Sequence, residues 1–170
     1  MPKQKGFSLI ELLIVVAIIL IIAAIAIPNL ARARMAANEA SAASAIRSIS
    51  GAELSYYSSY PSIGYAGAIS DLGYTVPCTP APTHACLLDN NLATAIPGST
   101  GHSGYQLLAT GINNNGINSE FVAGATPLTA KLTGTQDFCA VTDAVLRIQP
   151  AGGGLPANTL AACLAYPIAR

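Results

Sequence analysis

The chain has 170 residues, room for one ordinary domain and an appendage. Hydrophobic residues make up 52% and charged residues only 9%, where ordinary soluble domains carry about a quarter charged, so the apolar excess must be concentrated somewhere. A formal net charge of zero supplies neither a basic field nor an acidic tail, and no nucleic-acid partner is inferred.

The excess sits near the amino terminus. Leu12 to Ile27 is a run of sixteen consecutive apolar residues. As a helix, residues 7–27 span about 31 Å at about 1.5 Å per residue, the thickness of bilayer hydrocarbon. Lys3 and Lys5 precede the run and favour a cytoplasmic amino terminus, although Arg32 and Arg34 on the far flank pull the other way. Glu11 is the anomaly. A secretory signal would have an apolar stretch of about 7–15 residues and a small-residue cleavage site. Ala24-Ile25-Ala26 offers such a site, but the run is longer and Glu11 interrupts its start. A plain single-pass anchor gives no reason to place a costly carboxylate there.

Lys5-Gly6-Phe7-Ser8-Leu9-Ile10-Glu11-Leu12-Leu13, followed by an apolar run to Pro28, resembles the prepilin signature of type IV pilins and of the related pseudopilins of type II secretion. The resemblance covers residues 1–55. It implies that residues 1–6 are a leader, cut between Gly6 and Phe7 by a dedicated peptidase that also methylates the new Phe7 amine. Residues 7–28 then remain as the transmembrane and filament-core half of a long helix. The implied partners are membrane lipid before assembly, the prepilin peptidase and methyltransferase, an inner-membrane assembly platform, and further copies of the chain in a helical filament. The subunit starts in the inner membrane, single-pass with its amino terminus cytoplasmic, and ends in an extracellular pilus. Glu11 gains a role in this scheme. Pairing with the Phe7 amine of a neighbouring subunit would satisfy it only on assembly and so select one axial register.

After Ile27, Pro28 removes a backbone donor and its ring opposes the Ala24 carbonyl, which predicts a kink or local melting. Residues 29–58 read as the amphipathic half of the helix, with Leu30, Ala33, Ala37, Ala40, Ala43, Ile46, Ile49 and Leu54 as its packed stripe. Gly51, Tyr60-Pro61 and Gly64 mark the end of helical territory. Residues 59–170 form the head, opening with a proline-rich loop over residues 59–103. "GYQLLATGI" and "EFVAGA" read as strands around a turn at residues 113–116, and "DFCAV" and "AVLRI" as a second hairpin around Thr142-Asp143. The Gly152-Gly153-Gly154 run opens a loop-like tail. A long helix followed by a small antiparallel sheet is an α+β arrangement.

All four cysteines fall in the head, which fits an oxidising compartment, and four cysteines allow three pairings. Cys78 with Cys86 and Cys139 with Cys163 are favoured, because each closes a segment lacking regular structure. In the chain-entropy model these loops contribute about 2.6 and 3.5 kcal/mol. The resemblance implies the second staple independently, since type IV pilins commonly tie a carboxy-terminal loop to the sheet.

Other chemistry is sparse, and the sequence points to no enzyme, cofactor or metal. His84 with Cys78 and Cys86 could be drawn as a zinc site, but no CxxC pair exists and a disulfide beside a surface histidine is the simpler reading. His102-Ser103 lacks a third partner. Asp137 and Asp143 have no ligand-spaced run around them for calcium. Tyr56, Tyr57, Tyr60, Tyr65 and Tyr74 read as packing of the helix end on the loop. The expectation is a structural subunit of a type IV pilus, with a type II secretion pseudopilin as the alternative. A membrane-anchored periplasmic binding or enzyme domain is the alternative of another class, and it would need a constellation of converging polar groups.

Overall fold

A computed structural model describes residues 7–74 and 76–169. The leader, with Gly6, lies outside the described residues. The chain divides into two units, residues 1–34 and residues 35–170, taken separately below.

In the first unit, helix α1 (Leu9–Ser59) begins. Leu, Ile, Val and Ala fill it, and it runs without interruption through Pro28. Nothing in this unit covers its side chains. Every described residue but Ala23 is exposed up to Arg34, and Phe7, Leu9 and Leu30 stand 87%, 80% and 71% exposed.

In the second unit, the later part of α1 buries Ala42, Ala45, Ile46, Ile49, Ser50, Ala52, Glu53 and Tyr56, a stripe repeating every three or four positions. The packed stripe predicted from sequence is therefore corrected. Ile46 and Ile49 belong to it, but Leu30, Ala33, Ala37, Ala40 and Leu54 are exposed. The reason is compositional: alanine occurs on every side of this helix, so apolarity carries no phase. Gly51 sits inside the helix on its exposed side, and α1 ends only before Tyr60-Pro61, where a following proline disfavours helical backbone.

The stretch expected as a loop contains two short helices, α2 (Ile69–Leu72) and α3 (Asn90–Ala93). Asp89 caps α3, its Oδ1 accepting the Asn91 N–H at 2.7 Å. Ala85, Cys86 and Leu87 donate backbone N–H groups to Asp71, Gly73 and Leu72 at 2.7–2.9 Å. Ile69, Leu72, Ala85, Leu88 and Ala93 are buried, so apolar packing and backbone pairing brace this stretch as well as a disulfide.

Strands β1 (Tyr105–Asn114), β2 (Ile117–Pro127), β3 (Gln136–Val141) and β4 (Arg147–Pro150) form an antiparallel sheet in sequential order. Asn115 and Gly116 turn β1 into β2, both with positive φ (56° and 92°), the backbone an Asn-Gly hairpin turn requires. β4 starts three residues later than the predicted strand at Ala144, because Asp143 Oδ1 accepts the Val145 N–H and bends the chain. The tail carries one short helix, α4 (Leu160–Leu164), where Thr159 Oγ1 accepts the Ala162 N–H.

The sheet is covered on both faces. Tyr105, Leu107, Ala109, Phe121, Ala123, Ala125, Phe138 and Ala140 pack with the α1 stripe. Val122, Cys139 and Val141 face the other way, with Ala157, Cys163, Leu160 and Tyr166 of the tail. Gly124 also lies on that second face, opposite Cys139. A Cβ there would meet the Ala157 carbonyl oxygen at 2.5 Å and its nitrogen at 2.8 Å, so glycine is what lets the tail backbone approach the sheet.

Candidate assembly segment

The amino-terminal part of α1 presents an apolar surface to its surroundings with one carboxylate on it. By length and composition α1 is sufficient to cross a membrane. The Glu11 carboxylate is not idle. Its Oε2 accepts the backbone N–H of Ser8 at 2.9 Å. Ser8-Leu9-Ile10-Glu11 is thus the half of a capping box in which the third helical residue reaches back to satisfy the residue before the helix. A negative side chain in the first turn also complements the positive end of the helix dipole. Phe7 lies just ahead of this cap, exposed. The segment therefore brings together Phe7, Ser8 and Glu11 at the start of a bare apolar helix.

The family described as "Prokaryotic N-terminal methylation motif" matches residues 1–27. By its amino-terminal segment the chain is similar to type IV pilins. It is 64% identical over 39 residues to the type IV wide pilus major component PilA4 of Thermus thermophilus. It is 44% identical over 57 residues to the type IV major pilin protein PilA of Myxococcus xanthus. These matches take in 23% and 34% of this chain, and the chain spans 30% and 26% of the lengths of those relatives. No solved structure matches. The likeness lies in the amino-terminal segment.

In the head, Cys78 is joined to Cys86 and Cys139 to Cys163. The first bond leaves His84 without thiolate neighbours, and its Nδ1 sits 3.0 Å from Thr83 Oγ1 instead. Ser103 Oγ meets Ser41 Oγ at 3.0 Å, while the His102 backbone bridges to Tyr105, so the two neighbours do not act on one another. Asp137 and Asp143 are committed separately. Asp137 accepts from Thr126 Oγ1 and from the Gly152 N–H. Asp143 takes Arg147 Nη1 and Nη2 at 3.1 and 2.6 Å, the one ion pair among the described residues. Hydrogen bonds from Arg147 hold the Asp143 carboxyl below the usual carboxylate range. Tyrosine rings pack at a tilt where α1 meets the following segment: Tyr56 against Tyr60 and Tyr57 against Tyr65 at 4.7 and 4.8 Å, and Tyr65 against Phe121 at 4.9 Å.

Sequence reasoning passed over two carboxylates of α1. Glu39 Oε1 accepts both the backbone N–H and the hydroxyl of Thr135 at 2.7 Å, tying the helix to the start of β3. Glu53 is fully buried. Its place between Ile49 and Tyr56, one turn away on either side, is the signal that could have found it.

Proposed function

We propose that the chain is a structural subunit of a type IV pilus. It enters the inner membrane as a prepilin through residues 7–28, is cut after Gly6 and methylated on Phe7 by a prepilin peptidase, and polymerises through α1 into a surface filament. The observation that carries this reading is Glu11, a carboxylate on an otherwise bare apolar helix, inside the segment matched by the methylation motif. A helix so apolar is at rest in lipid or against copies of itself, and in water in neither case. Glu11 lies only about 6 Å of helix from Phe7, near the membrane edge, so its cost before assembly is moderate. Assembly exchanges its contact with Ser8 for the cationic Phe7 amine of a neighbour. Two unit charges about 4 Å apart attract by roughly 4 kcal/mol at an effective dielectric near 20, before desolvation offsets part of it. Pro28 gives the helix a point where the Ala24 carbonyl lacks its donor and bending is easy. Two disulfides favour a fibre exposed to the outside over a secretion pseudopilus.

Two substitutions separate the charge of Glu11 from its cap. Glu11→Gln keeps an oxygen that can accept the Ser8 N–H but loses the charge; Glu11→Val loses both. The pilus reading expects both proteins to enter the membrane and lose their leader, while subunit in sheared filaments falls steeply in both. Filament yield restored by Gln would reduce Glu11 to a helix cap. Wild-type yield from both would remove the reading altogether.

A further inference from the structure

Glu53 is the one carboxylate of α1 that is wholly removed from water among the described residues. Its Oε2 accepts the Ala66 N–H at 2.8 Å, fastening the segment that follows the helix back onto the helix thirteen residues earlier. Its Oε1 is buried with no hydrogen-bond partner. The titratable groups that bear on it are Tyr56 on α1, Tyr65 in the segment after it, and Asp71 on α2. All three are acids. No lysine, arginine or histidine pairs with Glu53 among the described residues.

A buried carboxylate calls for a counter-charge or several donors, and Glu53 has a single donor. A neutral carboxylic acid calls for much less, since one accepted N–H satisfies its carbonyl oxygen. The site therefore fits the acid better than the anion. We propose that Glu53 is a proton-dependent latch: as the neutral acid it holds residues 60–72 against α1, and as the carboxylate, in mildly alkaline surroundings, it loosens them.

Burial pushes the Glu53 carboxyl up to about 8, with Asp71 adding to the rise and the Ala66 N–H opposing it. Its ordinary value is 4.5. Because the closed form holds the proton more tightly than the open form, closing is fully favoured below the ordinary value. It weakens about tenfold per pH unit as pH rises toward 8, and levels off above it. The segment released carries Tyr60 and Tyr65, whose rings lie on Tyr56 and Tyr57.

The test is amide hydrogen exchange of the full chain in detergent micelles, with rates corrected for base catalysis. Protection at Ala66 should fall about fivefold from pH 7 to 8 and flatten above pH 9, while protection in β2 and β3 holds. Glu53→Gln, which keeps a neutral acceptor, should abolish that slope. Infrared difference spectra of the unaltered chain provide a second readout that needs no variant to fold. A protonated-carboxyl band should persist at pH 7 and bleach with a midpoint near pH 8. Flat protection from pH 6 to 9, an unchanged slope in Glu53→Gln, or a carboxylate already ionised at pH 6 would each overturn the latch.

Discussion

The covalent tie between sheet and tail can be removed by the double substitution Cys139→Ala/Cys163→Ala. The bond closes a loop with a sequence separation of 24. In the chain-entropy model its loss costs about 3.5 kcal/mol at 25 °C, and for a domain of this size that lowers the thermal midpoint by roughly 10–14 °C. Two interactions survive the change and set where the loss should appear. The Ile148 N–H still donates to the Pro167 carbonyl at 2.8 Å and the Ala169 N–H to Leu146 at 3.0 Å, so the tail keeps its native position while the whole head unfolds more readily. Circular-dichroism melts of the full chain in detergent, with the Cys78–Cys86 bond intact, measure the shift. The same experiment on Cys78→Ala/Cys86→Ala should show the smaller loss of its shorter loop, with a separation of 8. A loss below about 1 kcal/mol for the Cys139–Cys163 pair would refute the entropic argument. It would mean that the cluster of Val122, Val141, Ala157, Leu160 and Tyr166 already holds the tail in place, even in the unfolded ensemble.

Gly124→Ala should destabilise the head by about 1–3 kcal/mol, because the new methyl meets the backbone of Ala157 rather than a side chain that can swing aside; an unchanged denaturant midpoint would show that the tail moves freely. Asp143→Asn should cost about 1 kcal/mol at neutral pH, a modest figure since Asp143 is partly exposed. The lowered Asp143 carboxyl adds stability above the ordinary carboxylate range and loses it as pH falls through its depressed value. Urea midpoints of wild type and variant should therefore converge in strong acid, and a constant gap at all pH values would count against the Arg147 pair.

How far the fold could be read in advance depended on which physical signal each element carries. The apolar run to Ile27 and the Asn-Gly hairpin announce themselves by composition and by one turn dipeptide, and α1, β1 and β2 lie where those signals put them. The packed face of α1 was misplaced because alanine marks no side of a helix, while the residues that do mark the buried side include Ser50, Glu53 and Tyr56. Helices of four or five residues, such as α2, α3 and α4, are shorter than the window in which a 3.6-residue period can be counted. The late start of β4 turns on the Asp143 side chain reaching Val145, a contact that no periodicity encodes. In the assembly segment, Glu11 stood out because a charge in an apolar run needs explaining, whereas its bond to Ser8 required coordinates. Glu53 gave no such contrast, since its sequence neighbours are mixed.

The sheet leaves little of itself open at its borders. The backbone of residues 167–169 lies along β4, bonded through Ile148 and Leu146 and bridging at Arg147 to Ile168. On the opposite border Leu107 of β1 donates to Ala95, and a bulge breaks the register between Ile112 and Asn113. Unpaired strand borders are where proteins join by accident into cross-β aggregates, and crowding raises that hazard. Borders covered in this way offer fewer places for strand templating between copies of the head.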